Sequence, residues 1–477
     1  MSWKRHIRSL FEIDWAEKPY FFILILLFIL SRIPLLNLGF GTDADAWRIA
    51  NTAFDLKYSH IYHTSRFPGY PFPEYVNSLV IEHGWIATNS LTMFLSLISV
   101  IFFAKILKDL NIKNKGLLVL TYTFLPILWI NSTNTMDYMW ATAFIVIAWY
   151  FLIKKRYILA GLMMGFAVGS RISTVILVLP FFYIIWTGNK KIKDIIYFVI
   201  PVLLISLVLF LPLFFQYGIK FLTYYPLKMT TMELLTITGY RFFQSFGVLS
   251  VFFGLIIFIL SINKLIKEIR ARERYIIFLS MTILAFFLLF FIAPYNPEYL
   301  IPVIPFGIVL INKICKKQYV VILFILLLLN SFISFFVVER DNNKNLILHP
   351  INKGIIIRNI EERIEQIKFC KNLINANINH SVVIVGWYLP VLSYLDENVS
   401  YTRNHKMIGD QNNVKKGIWN FRKDVWYRYL VPLDELQDIQ QKGYTVYYIK
   451  GIREYTKSVY GYDINNYNCI YLNVEGD

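Results

Sequence analysis

Asp43-Ala44-Asp45 follows directly on the first long apolar stretch, in Leu38-Gly39-Phe40-Gly41-Thr42-Asp43-Ala44-Asp45-Ala46-Trp47-Arg48. Two carboxylates this close in a loop can aim at one point. They could serve as a general base with an orienting partner, or hold a divalent cation. The plain alternative is a solvated loop, or an N-cap for a helix over 46–54. The same polar region carries His60, His63 and Arg66, then Phe67-Pro68-Gly69-Tyr70-Pro71-Phe72-Pro73-Glu74. Its prolines stiffen the chain and hold its rings exposed. Rigid rings beside carboxylates suit a sugar-binding surface; an ordered, inert lid would read the same. His60 and His63 stand three apart without a clear third ligand for zinc.

Asp137 ends the polar run Asn131-Ser132-Thr133-Asn134-Thr135-Met136-Asp137, just before the apolar stretch opened by Tyr138. It is either a site residue or a helix cap meeting the helix dipole. Arg171 lies inside an apolar stretch, where a charge is costly and marks function by default. It either binds a phosphate or pairs with an acid such as Asp137. Lys220, Lys228 and Arg241 are further cations in or beside one loop, and Glu298 and Tyr299 belong to Pro294-Tyr295-Asn296-Pro297-Glu298-Tyr299-Leu300-Ile301-Pro302. Each of these taken alone fits a structural or interfacial role.

The elements that must position these groups are membrane helices. Hydrophobic residues make up 56% of the chain, well above the soluble norm. Apolar runs at 20–36, 85–105, 197–215, 242–262, 275–293 and 319–338 approach or reach the roughly 20 residues that cross a bilayer. The net charge of +17 does not indicate nucleic acid. Its Lys and Arg cluster in alternate short loops, as the positive-inside pattern requires. That pattern places the N-terminus inside, with an amphipathic stretch over 3–15 at the surface of the lipid bilayer. It predicts about 11 transmembrane segments and sets the region 37–84 on the extracytoplasmic side. Such a region is too long for a plain connector.

One stretch breaks the alternation. Basic clusters at 154–156 and 190–193 both read as inside, yet a single apolar run over 157–186 joins them. Two short helices folded back at 170–173 solve this, with Arg171 directed into a cavity open to the outer side, since non-helical backbone at membrane depth needs protein or water around it. Beyond residue 340 polar residues rise. A charge-patterned helix over 355–373 and buried strands at 381–386 and 444–449 predict a small extracytoplasmic α/β domain. The domains are therefore 1–19, a cytoplasmic amphipathic N-terminus; 20–338, the transmembrane part with outer loop 37–84; and 339–477, the α/β domain. Cys370 and Cys469 share that last region and could pair in an oxidising space.

In order and placement these features resemble the GT-C glycosyltransferases, of the protein O-mannosyltransferase or aminoarabinose-transferase-like type. The resemblance runs over about residues 15–340. It rests on Asp43-x-Asp45 in the first outer loop, Pro68–Pro71, Asp137 at a helix start, the Gly-Leu-x-x-Gly-Phe-Ala-x-Gly-Ser-Arg stretch over 161–171, and Glu-Tyr-Leu-x-Pro-x-x-Pro over 298–305. It implies a GT-C-like fold and an inverting transfer from a polyprenyl-phosphate sugar donor to a hydroxyl on a glycan, lipid or protein. Such chemistry would serve a cell-envelope glycan or protein glycosylation. One aspartate, Asp43 or Asp45, would be the base. Asp137, Arg171, Arg66, His63, Tyr70, Glu74, Arg241, Glu298 and Tyr299 would bind substrate. No cofactor is required by this chemistry; a divalent cation, if used, would sit at Asp43 and Asp45. Two positions depart from the pattern. Ala44 separates acids that many relatives carry side by side, and Glu298 stands where many carry Arg or His. Phosphate binding would then fall to Arg171 or Arg241. Two rival readings remain: a transporter or flippase of lipid-linked sugars, although no inverted repeat is visible, and a non-catalytic assembly factor.

Overall fold

A computed structural model describes residues 12–222, 231–292, 296–340, 346–399 and 417–474. Lys228, Pro294, Tyr295 and most of the expected amphipathic stretch over 3–15 lie outside the described residues. The chain opens with α1 (Tyr20–Arg32). The polar region 37–84 then holds α2 (Ala44–Ser59) and α3 (Pro71–Ser78). The long α4 (Gly84–Asp109) leads away from it. The apolar run after Lys115 forms α5 (Lys115–Phe124) and α6 (Pro126–Asn131). They are split because Pro126 has no N–H for a continuing ladder. α7 (Tyr138–Ile153) and α8 (Tyr157–Ser170) follow.

The anomalous run over 157–186 is two helices, as its charge pattern requires. α8 stops at Ser170, and Arg171 adopts an extended backbone (φ −158°, ψ 108°). A 3-10 turn, Ile172–Leu177, leads into α9 (Val178–Asn189). α8 is held by its glycines. Gly161, Gly165 and Gly169 recur every four residues and so share one face. That face lies against α10 (Ile192–Tyr217). A Cβ at Gly161 would come 2.2 Å from the Phe198 carbonyl oxygen, and one at Gly169 would come 2.2 Å from Leu209 Cδ1. Small residues permit this backbone approach, the usual device of helix pairs in lipid.

The next segments differ from expectation. The loop expected over 216–240 contains a 3-10 turn, Gly218–Leu222, and most of a further helix, α11 (Thr231–Phe246). α12 (Val248–Arg270) begins only after Gly247. Gly247 has φ +78°, and the Asn330 side chain occupies the space a Cβ would need. Asn330 Nδ2 donates to Phe246 O (3.1 Å) and Ser250 Oγ (2.7 Å). α13 (Arg274–Ile292), a 3-10 turn Pro297–Val303 and α14 (Ile304–Ile314) come next. The span expected over 319–338 is cut short. α15 (Lys317–Leu329) ends at Asn330. The aromatic and β-branched residues beyond it suit a strand. They form β1 (Ile333–Arg340), antiparallel to β2 (Leu346–Lys353). The domain boundary expected at 338/339 therefore falls inside a hairpin.

The rest of the chain is an α/β unit. α16 (Ile355–Asn375) leads to β3 (Ser381–Ile384) and α17 (Leu389–Leu395). β4 (Ile418–Asn420), β5 (Val425–Arg428), α18 (Leu433–Gln441), β6 (Thr445–Tyr448), α19 (Ile452–Tyr460) and β7 (Ile470–Tyr471) complete it. The sheet order is β4-β5-β3-β6-β7, parallel except for β4. Both expected strands and the expected helix are present. Cys370 and Cys469 are free thiols.

The fold is thus mostly helical, with apolar spans and a small C-terminal sheet region. Among the described residues five helical stretches are long and apolar enough to cross a bilayer: Ile81–Asp109, Ile192–Leu222, Val248–Arg270, Arg274–Ile292 and Pro297–Ile314. Five more apolar stretches are shorter, among them Tyr138–Ile153 and Tyr157–Ser170. The glycine face makes a direct prediction. Gly161→Ala should destabilise the helical body by roughly 1–3 kcal/mol. The thermal unfolding midpoint in detergent reads this, and an unchanged midpoint would refute the close approach.

Candidate active site

Asp43 takes the helix-start position that its sequence allowed. It is the N-cap of α2, its side chain accepting from the Asp45 N–H at 2.9 Å. Its other carboxylate oxygen, Oδ2, accepts from Asn296 Nδ2 at 3.3 Å. It also lines a cavity of about 340 Å³. Thr42 and Asn134 share the wall beside it. Arg241 and Gln244 come from α11, Asn296 and Glu298 from the start of the turn before α14, and Arg358 and Glu362 from α16. Burial and the neighbouring Asp45 charge push the Asp43 carboxyl up to about 6, against the opposing pull of the Asp45 N–H, Arg66 and Arg48.

Asp45 has the opposite environment. It accepts from Arg48 Nη1 at 2.8 Å and pairs with Arg66 Nε at 2.9 Å. Burial works to raise its carboxyl, but Arg66 and Arg48 outweigh that and hold it below the usual carboxylate range. Two residues of the same type, two positions apart, are thereby given different protonation behaviour, the pattern expected of an acid–base site.

Arg66 continues outward from Asp45. Its Nη2 donates to Asp137 Oδ1 at 2.7 Å, and Arg171 Nη1 donates to Asp137 Oδ2 at 2.7 Å. Asp137 is fully buried. The result is an unbroken row, Arg48–Asp45–Arg66–Asp137–Arg171, of three cations and two anions with one positive charge left over. Aromatic faces pack on it. The Arg66 guanidinium lies 3.9 Å from the Tyr70 ring centre, and that of Arg171 lies 4.6 Å and 4.5 Å from Tyr138 and Tyr299. Such placement adds cation–π attraction in a site shielded from water.

The structure therefore gathers Asp45, Arg66, Tyr70, Asp137, Arg171 and Tyr299 in one cluster, and Asp43, Arg241 and Glu298 around one cavity. Arg171 does not line that cavity. It is turned to Asp137, while Tyr138, whose ring it overlies, is a lining residue. The expectation that Arg171 faces an open cavity gives way to the pairing reading, because an acid with both oxygens available lies within reach. Two sequence candidates lie elsewhere. His63 Nδ1 is 2.7 Å from Gln216 Nε2. Glu74 is enclosed by Tyr62 and Ser65, accepting from the hydroxyls of both and from the Ser65 N–H at 2.8 Å. It braces the stiff loop from within. Lys220 is exposed on its turn and does not line the cavity.

A divalent cation between Asp43 and Asp45 fits the donor set poorly. Both Asp45 oxygens are engaged by arginines, and Asp43 already accepts from Asp45 N and Asn296. Among the described residues no group of three His, Cys, Asp or Glu side chains is placed to hold a metal.

The residues that sequence reading missed are mainly amides and α16. Asn134, Gln244 and Asn296 line the cavity, as do Arg358 and Glu362. α16 also grips the turn that carries Asp43. Arg363, fully buried, donates from Nε to Leu38 O (3.0 Å) and from Nη2 to Gly39 O (2.8 Å) and Thr133 O (3.2 Å). Gln366 Nε2 donates to Thr42 O at 3.0 Å, and Gln366 Oε1 accepts from Trp47 Nε1 at 3.1 Å.

No family model matches the chain, and no curated protein matches it. Two solved structures do. They are of ArnT from Cupriavidus metallidurans, one in the apo state and one bound to undecaprenyl phosphate. Each is 16% identical, with a TM-score of 0.45, over 62% of this chain and 59% of the other. The chain thus spans about 59% of the length of the proteins it matches.

Asp137 is the part of the row that cannot be spared. Asp137→Ala leaves Arg66 and Arg171 buried without their shared counter-charge. It should cost roughly 3–5 kcal/mol, the penalty for breaking a buried pair. Chemical denaturation in detergent micelles measures this; a loss below about 1 kcal/mol would mean the row is not held together by charge.

Proposed function

We propose that this chain is a membrane glycosyltransferase that moves a sugar from a polyprenyl-phosphate donor to an acceptor hydroxyl at the extracytoplasmic face. The observation that carries this reading is Asp43: a carboxylate raised toward neutrality, fixed at a helix start, on the wall of a cavity shared by helices of the apolar body and the α/β domain. A general base works best when its pKa lies near the operating pH. The basic, apolar chain and its order of motifs support a substrate delivered in the bilayer.

In this reading Asp43 takes the acceptor proton while the acceptor oxygen attacks the anomeric carbon. The bond to the donor phosphate breaks, and the polyprenyl phosphate leaves with the electron pair. The reaction is a single displacement with inversion. Phosphate leaves readily, so the site needs cations rather than a strong acid. Arg241 is a lining cation for that task, and the row behind Asp43 adds its surplus positive charge. Asp45 is the weaker base, because two arginines engage both its oxygens and lower its affinity for a proton; it and Asp137 orient the row. Asn134, Gln244 and Asn296 offer paired donors and acceptors of the kind sugar hydroxyls use.

The test is turnover of a polyprenyl-phosphate sugar by the full chain in lipid nanodiscs. Asp43→Asn keeps an N-cap, since Asn serves that position well. It should lower turnover by about 10²–10⁴-fold while the protein still binds donor. The pH profile adds a second readout. Asp43 must be ionised to act, so the wild-type rate should rise through about pH 6 and then level. Stability runs the other way. A carboxyl raised in the fold contributes stability that is fully present below its unfolded value and is lost as pH climbs through about 6. Asp43→Asn should remove that dependence. If Asp43→Asn and Asp45→Asn both turn over donor at the wild-type rate, the catalytic reading falls and a transporter of lipid-linked sugars becomes the better one.

A further inference from the structure

The cavity is closed on one side by a helix that belongs to the α/β domain. α16 presents two adjacent faces. Asn359, Arg363 and Gln366 grip the turn 38–42, with Asn359 Nδ2 3.4 Å from Thr42 Oγ1 and Arg363 on the Leu38 and Gly39 carbonyls. One residue round the helix from that grip, Arg358 and Glu362 line the cavity, a single turn apart. Arg363 draws its hydrogen bonds from backbone carbonyls and a threonine hydroxyl, so its grip is a fixed attachment and not a surface ion pair. The part of α16 that carries Arg358 is thereby fixed against the turn 38–42.

The geometry points to Arg358 as a phosphate-binding residue of this site, supplied by the α/β domain to complement Arg241 from α11. This rests on the reading of a polyprenyl-phosphate donor. Arg241 and Arg358 come from separate elements and meet one cavity that also holds Asp43. A guanidinium matches phosphate oxygens with parallel N–H donors, which an ammonium does not. Glu362 moderates Arg358 from one turn away. Its own carboxyl is raised, by burial first, with Glu365 adding and Arg358 opposing.

The experiment compares two probes on the full chain in nanodiscs: undecaprenyl phosphate and the neutral alcohol undecaprenol. Arg358→Gln should weaken binding of the phosphate by roughly ten- to hundred-fold, the range for a hydrogen bond to a charged group, and leave the alcohol unaffected. Arg358→Lys should fall between, keeping the charge but losing the fork. Glu362→Gln should bind the phosphate at least as well as wild type. Thermal unfolding of each variant checks that the fold is intact. Arg358→Gln binding both probes like wild type would overturn the inference while leaving the proposed function standing. An equal loss for both probes would also overturn it, since that marks a merely structural role. If the wild-type chain binds the phosphate no better than the alcohol, the donor reading fails and this inference fails with it.

Discussion

Burying a guanidinium is costly unless a carboxylate and further hydrogen bonds replace the lost water. This chain sets three of them, Arg171 buried and Arg48 and Arg66 partly exposed, in one row against only two acids. Asp45 serves Arg48 and Arg66; Asp137 serves Arg66 and Arg171. Each acid therefore bridges two cations, and tyrosine faces cover what the carboxylates leave. The row crosses four pieces of the fold: α2, the stiff loop before α3, the start of α7 and the break after α8. The charge chain ties these four pieces to one another.

The row also explains why the two aspartates differ. Asp45 lies in the first turn of α2, where it faces Arg48 one turn along and Arg66 from the loop. Asp43 lies just before that turn, at the cap, and its free edge meets Asn296 and the cavity. A helix start is already a favourable place for negative charge, yet burial beside a second carboxylate prevails and raises Asp43. Glu74 shows the contrast. It too is a buried acid in the same region, but two tyrosine and serine hydroxyls and a backbone N–H consume it.

Much of this was legible before any coordinates. The acidic pair, Asp137 at a helix start, and the break at Arg171 follow from charge placed where apolar sequence should run. The strands at Ser381–Ile384 and Thr445–Tyr448 follow from short runs of β-branched and aromatic residues. What stayed hidden depends on partners far away in the chain. Gln366 meets Trp47 across 319 residues, and Asn330 fills the space left by Gly247. Neither contact leaves a periodic trace. The different surroundings of Asp43 and Asp45 were hidden for a similar reason: spacing shows that both can face one point, while only the arginines' positions leave Asp45 paired and Asp43 on the cavity wall. The span expected over 319–338 failed because hydropathy alone cannot tell an apolar strand from an apolar helix.

The grip of α16 on the turn 38–42 carries a consequence for how the protein is made. Asp43 is synthesised early, straight after the first apolar helix, whereas Arg363 and Gln366 come after all the others. A chain halted at the β1–β2 hairpin would own every apolar helix and both aspartates, but its cavity would lack the wall of Arg358 and Glu362. The turn bearing Asp43 would also have lost its carbonyl partners. Completion of the cavity wall thus waits until α16 has been made, after every apolar helix.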